Sequence, residues 1–176
     1  MEFKELDIEK VCLIEPSKLE DERGFFARSW DKVKFDKMGL SHEIVQCNIS
    51  FSTKKGTIRG MHYQISPYEE SKLIRCTRGR IFDVVIDLRE NSKTYKNWIS
   101  QELSEGNYKM LYVPEGCAHG FLTLEDNTEV FYQNTAIHMK EFEKGIRWDD
   151  PTFSIKWPEC QKIVSQKDQS WGLYQE

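Results

Sequence analysis

Long hydrophobic runs are missing from this sequence, and none approaches the ~20 apolar residues that a membrane-spanning helix needs. The first ten residues are acidic and amphipathic, so we expect neither a membrane span nor a secretory signal. An excess of positive charge is missing too, since 25 basic residues stand against 29 acidic ones and the net charge is -4. This balance gives no general attraction to nucleic acid or to an anionic membrane. A local basic site for an anionic small molecule remains open.

Cysteine is scarce, and the five cysteines include no Cys-x-x-Cys pair. Their odd number and scattered positions favour reduced, buried thiols in a cytoplasmic protein over a disulfide framework or a zinc site. Cys117 lies two residues before His119, so a catalytic cysteine is one interpretation, although free cysteine more commonly fills a core. The glycine patterns of nucleotide-binding loops, Gly-x-Gly-x-x-Gly and the Walker loop, are also missing.

What the sequence does contain is a series of short β-rich runs separated by turn residues. With 176 residues, 39% of them hydrophobic, it predicts a single domain over 1–176 with a sizeable core. Many short strands with turns between them are typical of a β-sandwich or barrel. The clearest runs are VQCNISFST (45–53), KLIRCTRGRIFDVVIDL (72–88) with a turn at Thr77–Gly79, MLYVPEGCAHGFLTL (110–124) and TEVFYQNT (128–135). The one good helical candidate is 31–40, with Asp31 as N-cap and Gly39 as stop.

Two of these strands have faces that periodicity alone does not explain. In 45–53, Cys47, Ile49 and Phe51 alternate with polar residues. The polar face could meet water, or it could line a ligand cavity inside a barrel. In the run FDVVIDL, Asp83 and Asp87 share a face with branched apolar residues. These acids are either partly solvated or buried with partners.

The stretch GTIRGMHYQ (56–64) has no clearly wet or dry face. Strict alternation places His62 and Gln64 on one side of the strand and Arg59 and Tyr63 on the other. Periodicity alone does not decide what this strand faces.

Several groups that could carry chemistry lie on the predicted strands. Either His62 or His119 alone is most simply a structural histidine. Together with the others they favour a site, because the set supplies a base, an acid and cationic groups. Metal-binding barrels commonly present His-x-His, but Gln64 stands two residues after His62, so we expect no metal. The polar residues that make up this set are Arg59, His62, Lys72, Asp83, His119 and Tyr132.

Eight segments occur in an order that resembles the dTDP-4-dehydrorhamnose 3,5-epimerase family and its nucleotide-sugar epimerase relatives. The resemblance spans most of the chain and implies an all-β, cupin-type jelly roll with a few short peripheral helices. It also implies a homodimer that uses no metal or organic cofactor. The segments are DERGFF (21–26), VQCNIS (45–50), IRGMHYQ (58–64), Lys72, FDVVIDLR (82–89), VPEGCAHGF (113–121), GIRWDDP (145–151) and SQKD (165–168).

The resemblance implies an activity, namely 3,5-epimerisation of a 4-keto-6-deoxyhexose linked to a nucleotide diphosphate. By its motifs, His62 is the catalytic base and Asp168 is the carboxylate paired with it, although a solvated tail is the simpler interpretation of Asp168 alone. Tyr132 is the acid on the opposite face of the sugar, and Lys72 is the cation near the sugar O4. His119 and Asp83 form a supporting pair. The residues implied to hold the nucleotide diphosphate are Arg23, Phe26, Gln46, Asn48 and Arg59.

The chemistry of these side chains suits such a reaction. A C4 ketone acidifies the hydrogens on both neighbouring carbons, and histidine is a suitable base near neutral pH. The enolate oxygen needs preorganised positive charge, which Lys72 could supply. Inversion requires a proton from the other face, so the acid and the base must be different groups. Arg59 could bind a phosphate in a bidentate manner. With these roles, we expect IRGMHYQ (58–64) to line a barrel interior or its mouth, where both faces meet ligand or polar partners.

Three positions depart from the family pattern. Arg28 stands where an acidic residue is common, and Ile137 and His138 stand where aromatic residues are common. These changes leave the reaction class unaltered but leave open which nucleotide and which sugar are used. The alternatives are a 3-epimerase that acts on C3 alone of another 4-keto sugar, a sugar-binding jelly roll without catalysis, and a metal-dependent cupin enzyme. The presence of both His62 and Tyr132 counts against the binding module.

Overall fold

The computed structural model describes residues 1–175, which form two packed β-sheets, a separate hairpin and two short helices. The helices are α1 (Lys32–Lys37) and α2 (Gln166–Gln169). The strands are β1 (Glu2–Glu5), β2 (Cys12–Glu15), β3 (Lys18–Asp21), β4 (Gly24–Ala27), β5 (Gln46–Ser52), β6 (Thr57–Gln64), β7 (Lys72–Arg78), β8 (Arg80–Asp87), β9 (Trp98–Ser104), β10 (Met110–Val113), β11 (Cys117–Thr123), β12 (Thr128–Asn134), β13 (Glu143–Gly145) and β14 (Ile163–Val164).

The chain passes repeatedly from one sheet to the other. The first sheet has the order β1-β2-β10-β7-β12-β5. The second has the order β13-β6-β11-β8-β9, and β14 pairs in parallel with β6. The turns after β5, β7, β10 and β11 each carry the chain across to the facing sheet. This topology confirms the predicted all-β jelly roll with a few short helices, and β3 and β4 form the hairpin outside both sheets.

Apolar side chains of residues 1–175 form three buried clusters, two of which lie on the two faces of the second sheet. Between the sheets, Ile74 and Val130 from the first sheet join Ile81 and Phe121 from the second in the main core. A second cluster covers the outer face of the second sheet, where Val84, Ile86, Ile146 and Phe153 are buried together. Strand β8 is therefore buried on both faces. This is the reason why its sequence is rich in branched apolar residues on both sides.

Of two local predictions, that of the helix is confirmed and that of the turn only in part. The helix predicted at 31–40 is α1, and the side chain of its N-cap Asp31 accepts a backbone hydrogen bond from the first turn. Gly39 follows the helix with φ +64°, the left-handed conformation that ends many helices. The turn predicted at Thr77–Gly79 is shorter than expected, because Thr77 and Arg78 belong to β7 and only Gly79 separates it from β8. Within residues 1–175, no helix is long and apolar enough to cross a membrane.

Strand β5 has its polar side turned towards the interior. Gln46 and Asn48 are partly buried, whereas Cys47, Ile49 and Phe51 on the alternate side are exposed. The polar face therefore lines a cavity, which decides between the two interpretations that its alternation left open. Its apolar face is turned to the outside, where 68% of Ile49 and 43% of Phe51 are exposed.

The two acids of β8 are both fully buried, and each has a partner. Asp87 accepts hydrogen bonds from the guanidinium of Arg89 and from the hydroxyls of Ser92 and Thr94. Burial by itself would raise its pKa, but these hydrogen bonds lower the pKa of Asp87 to about 2. Asp83 pairs with a histidine in the interior and belongs to the candidate site.

The cysteines are free, but the expectation that they are buried is only partly correct. Cys12, Cys76 and Cys117 are buried, Cys160 is partly exposed, and Cys47 is exposed because it lies on the outer face of β5. Burial raises the pKa of Cys117 to about 12. A thiol with so high a pKa is a poor nucleophile, and Cys117 packs in the main core instead.

Candidate active site

An open cavity of about 450 Å³ lies between the two sheets, and a second of about 320 Å³ adjoins it. The first, here called the Arg59 chamber, is lined by Arg59, Phe121 and the 163–168 segment. The second, here called the Asn48 chamber, is lined by Gln46, Asn48, Asn134 and His138 among others. The two chambers meet at side chains that line both, namely His62, Lys72, Tyr132 and Lys167.

Neighbouring strands of the second sheet bring the two histidines together. His62 of β6 lies directly opposite His119 of β11 in the antiparallel register. The next aligned pair is Arg59 with Phe121, so three steps along β6 match two along β11, and β6 contains a bulge. The bulge breaks the strict alternation predicted for 56–64, which was wrong on this point. As a result Arg59 and His62 both line the Arg59 chamber.

Glycines allow β6 and β11 to approach closely beside this bulge. A Cβ atom added at Gly120 would lie 2.7 Å from the sulfur of Met61 and 2.8 Å from the carbonyl oxygen of Arg59. A Cβ atom added at Gly60, where φ is +125°, would lie 2.6 Å from the Cα of Gly120. Only glycine fits at both positions without displacing the backbone that carries the histidines.

His62 and Asp168 form a hydrogen-bonded pair, although 106 residues separate them in the chain. Strand β14 runs along β6 and places α2 over it, so the His62 Nε2 lies 2.6 Å from the Asp168 Oδ1. Ser165, the N-cap of α2, accepts a hydrogen bond from the backbone N–H of Asp168. Burial by itself would raise the pKa of Asp168. Hydrogen bonds from His62, Ser165 and the Gly60 backbone, together with the charge on His62, hold that pKa below its ordinary value.

His119 and Asp83 form a second, deeper pair. The His119 Nε2 lies 2.8 Å from the Asp83 Oδ1, and the Asp83 side chain is fully buried. Burial raises the pKa of Asp83, while the neighbouring His119 and Lys72 act in the opposite direction. The second carboxylate oxygen of Asp83 has no hydrogen-bond partner among the residues that the structure describes.

Tyr132 faces these histidines from the first sheet. It lies beside Asn48 of β5 and Ile74 of β7 in the strand register. Its pKa is raised, chiefly by burial and next by the negative charge of Glu70, while Arg59 opposes the change. The phenol therefore keeps its proton at neutral pH and can act as an acid.

Predicted nucleotide contacts line one wall of the cavity. The Nε2 of Gln46 donates to the Oδ1 of Asn48 at 3.1 Å, and the Nδ2 of Asn48 donates to the Oδ1 of Asn134 at 3.3 Å. Arg59 donates to the hydroxyl of Ser52 and to the carbonyl of Phe51, which leaves part of its guanidinium towards the chamber.

The remaining two predicted nucleotide contacts, Arg23 and Phe26, do not line either chamber. They lie on the β3–β4 hairpin, where 81% of the Arg23 side chain is exposed and its guanidinium pairs with Asp21. Phe26 is 66% exposed. The hairpin packs on Tyr108 through Phe25, away from the cavity. These two roles remain predictions.

Sequence reasoning missed three charged residues of the cavity. The carboxylate of Glu70 lies 3.0 Å from the Nζ of Lys72, and Glu143 pairs with Lys167 at 2.6 Å. Lys167 could have been found, since it precedes Asp168 in the SQKD segment. Glu70 and Glu143 lie beside turns with no pattern that distinguishes them from exposed acids. Only their 7% and 11% side-chain exposure identifies them.

The positions that depart from the family pattern differ in where they lie. Arg28 pairs with Asp31, the N-cap of α1, outside the cavity. His138 lines the Asn48 chamber, and half of its side chain is exposed. The backbone of the same loop is held by Gln64, whose side chain bonds to the carbonyl of Ile137 and accepts from the N–H of Met139. Gln64 thus anchors a loop at the position where a metal-binding barrel would use a histidine.

No group of three or more His, Cys, Asp or Glu side chains in the described part of the chain is arranged to hold a metal ion. The prediction that catalysis needs no metal stays a prediction.

Comparisons with known proteins find close relatives. Residues 5–176 match the family model described as dTDP-4-dehydrorhamnose 3,5-epimerase. The epimerase of that name from Sinorhizobium fredii is 44% identical over 171 residues, 97% of this chain and 88% of that protein. The Bacillus anthracis epimerase with TDP and PPi bound has a TM-score of 0.94 at 39% identity, covering 98% of this chain and 99% of that one. The dTDP-6-deoxy-D-glucose-3,5-epimerase of Legionella pneumophila, in complex with dTDP-4-keto-L-rhamnose, has a TM-score of 0.91 at 34% identity, covering 98% and 92%.

Proposed function

Because the chain belongs to the dTDP-4-dehydrorhamnose 3,5-epimerase family and is an isomerase, we propose that it inverts C3 and C5 of a dTDP-linked 4-keto-6-deoxyhexose. Proton transfers through an enolate accomplish this, and neither a metal nor an organic cofactor takes part. One observation carries the proposal. The His62–Asp168 pair and Tyr132 belong to facing sheets, and both His62 and Tyr132 line the same cavity.

His62 is the base in this scheme. Its Nε2 is engaged with Asp168, so Nδ1 is the nitrogen that removes a proton from the carbon next to the ketone. Asp168 keeps the ring in one tautomer and stabilises the imidazolium that forms. The low pKa of Asp168 suits this role, because the carboxylate stays charged while the imidazole gains its proton.

The enolate that results is stabilised by positive charge. The electrons of the broken C–H bond move to the C4 oxygen, and the Lys72 ammonium at the junction of the chambers faces that oxygen. His119, held by Asp83, supports it from the second sheet. Tyr132 then donates its proton to carbon from the side opposite to His62, and this inverts the centre.

The nucleotide diphosphate occupies the rest of the cavity. Arg59 binds a phosphate, and Gln46 and Asn48 contact the nucleotide from the first sheet. The Bacillus anthracis and Legionella pneumophila relatives were solved with TDP and with a dTDP-sugar bound, which supports this class of ligand. The free cysteines support a reducing, cytoplasmic location.

We propose that residues 1–176 form one domain and act as a homodimer. The outer face of β5 and the β3–β4 hairpin expose Ile49, Leu19 and Phe26, each by about two thirds. Arg23 and Phe26 are nucleotide contacts by sequence but lie away from the cavity of their own chain. In a dimer, the hairpin of one copy reaches the cavity of the other.

Incubation of the protein with the dTDP-4-keto-6-deoxyhexose in deuterated water tests the reaction. We expect deuterium at both C3 and C5, located by NMR and counted by mass spectrometry, and the activity should survive a chelator. Deuterium at C3 alone would identify a 3-epimerase. A protein that binds the sugar nucleotide yet exchanges no proton is a binding module, and this result would contradict the proposal.

A further inference from the structure

Glu70 is a buried acid that the reaction scheme does not use. Its side chain is 7% exposed, and its Oε1 lies 3.0 Å from the Nζ of Lys72. Its Oε2 accepts a hydrogen bond from the Nδ2 of Asn134. Asn134 lies opposite Lys72 in the β7–β12 register, so the three side chains form one compact group at the wall of the Asn48 chamber.

This group is fixed from behind by the nucleotide wall. The Oδ1 of Asn134 accepts from Asn48, and the Oδ1 of Asn48 accepts from Gln46. The Oε1 of Gln46 in turn accepts from the backbone N–H of His138. A continuous line of hydrogen bonds therefore prevents the Glu70 carboxylate from turning away from Lys72.

Lys72 needs such a partner for a physical reason. Only 10% of its side chain is exposed, so the ammonium has lost most of its hydration and is costly to bury unpaired. Glu70 supplies the opposite charge and fixes the direction of the Nζ. An ammonium has three donors, so two remain for a substrate oxygen when one is held by Glu70.

The same carboxylate acts on the acid of the reaction. After burial, the charge of Glu70 is the largest cause that raises the pKa of Tyr132. Glu70 therefore contacts Lys72, the cation expected at the enolate oxygen. Its charge also raises the pKa of Tyr132, the proposed proton donor.

We infer that Glu70 is a positioning residue of the epimerase, which holds the Lys72 ammonium towards the sugar O4. Its charge also acts on Tyr132, which lines the same chamber. The inference rests on the proposed function. It assigns to Glu70 no contact with the reacting atoms.

Glu70→Gln tests the inference, because it removes the charge with little change of shape. Glu69→Gln is the matched control, since the adjacent acid lines neither chamber. We expect Glu70→Gln to lower kcat by about 10- to 100-fold with KM changed less than about threefold, because the lost interaction acts in the transition state. Glu69→Gln should behave as wild type. In a Lys72→Met background, the effect of Glu70→Gln on kcat should shrink below about twofold, because the two residues act as a unit.

The pH profile separates positioning from a merely structural role. Tyr132 must be protonated to act, so activity falls as the pH rises through its pKa. Around Tyr132, the charges of Glu70 and Glu143 raise this pKa and the charge of Arg59 lowers it. Without the Glu70 charge the pKa is lower, so the alkaline limb of kcat should move to lower pH in Glu70→Gln and stay in place in Glu69→Gln.

The inference would be overturned if the wild type is active and Glu70→Gln has the same kcat and the same alkaline limb as Glu69→Gln. A wild type that incorporates no deuterium would instead refute the proposed function. If Glu70→Gln fails to fold, Glu70→Asp replaces it. This variant keeps the charge but withdraws the oxygens from Lys72, so we expect a reduced kcat with an unmoved alkaline limb. A wild-type kcat in Glu70→Asp would also overturn the inference.

Discussion

At the scale of single residues, the cavity holds two groups whose surroundings prepare them for opposite tasks. Hydrogen bonds keep the pKa of Asp168 low, so its carboxylate is charged and can stabilise a proton on His62. Burial and the charge of Glu70 keep the pKa of Tyr132 high, so the phenol is protonated and can serve as the proposed proton donor. Environments that separate the pKa values of two groups in this way are typical of acid–base catalysis.

Substitution of His62 and substitution of Tyr132 should abolish different steps of the reaction. His62→Ala should abolish the uptake of solvent deuterium, because no base remains. Tyr132→Phe should leave exchange at the carbon that His62 addresses, since base and Lys72 are intact, while inversion falls by about 10²- to 10⁴-fold. Mass spectrometry measures exchange, and NMR measures inversion.

Tyr108→Phe is the control for the tyrosine variant, because Tyr108 packs on Phe25 outside the cavity. It should retain both activities. Exchange at the wild-type rate in His62→Ala would show that His62 is not the base.

At the scale of elements, the site depends on how closely β6 and β11 cross. The bulge in β6 turns Arg59 and His62 to the same side, and Gly60 and Gly120 let the two backbones touch beside it. The parallel strand β14 then adds to the other edge of β6 and delivers Asp168 on α2. Three separate parts of the chain thus converge on one strand.

Gly120→Ala should damage both stability and activity. The new Cβ would lie within 3 Å of Met61 and of the carbonyl of Arg59, so β6 and β11 must separate. We expect a loss of about 1–3 kcal/mol in the free energy of unfolding, as for other overpacked sites, together with a lower kcat. Denaturant unfolding and steady-state kinetics measure the two effects.

Gly106→Ala provides the comparison, because nothing lies within 4 Å of a Cβ atom added there. It should be close to wild type in both assays. If Gly120→Ala were equally neutral, the close crossing would not be what holds the histidines in place.

At the scale of the whole molecule, this chain exposes residues that its own fold does not use. The outer face of β5 is apolar, and the edge of the first sheet at β5 has no further strand among residues 1–175. The hairpin exposes Phe26 and presents Arg23 to solvent. In the proposed homodimer, a second copy would cover the apolar surface and bring a guanidinium to the cavity proposed to bind the diphosphate.

Mixed dimers test whether the two copies share their sites. Arg23→Ala and His62→Ala subunits, coexpressed with different tags, should regain activity at substrate concentrations well below KM. If Arg23 serves the partner, one cavity of the mixed dimer has both an intact His62 and an intact Arg23. If Arg23 serves its own chain, neither cavity is complete, and the mixed dimer stays as inactive as its parents. A monomer in light scattering at micromolar concentration would contradict the dimer itself.

Local pattern alone determined much of this protein. Turn residues and alternation predicted most of the strands of the two sheets, and Asp31 and Gly39 predicted the bounds of α1, because caps and turns depend on neighbours in the chain. The motifs around His62 and His119 indicated the family before any geometry was known. Each of these signals lies within a short stretch of consecutive residues, so it can be recognised from the sequence alone.

Only the tertiary structure decided which groups meet. The alternation of β5 did not determine which of its faces is turned inward. In the structure the polar face lines the interior cavity. The bulge in β6 broke strict alternation, and it is visible only in the register of β6 against β11, a strand distant in the sequence. Glu70 looked like any surface acid until β12 placed Asn134 against it and β7 placed Lys72 beside it. Burial and charge pairing arise between distant segments, and a one-dimensional pattern contains no record of them.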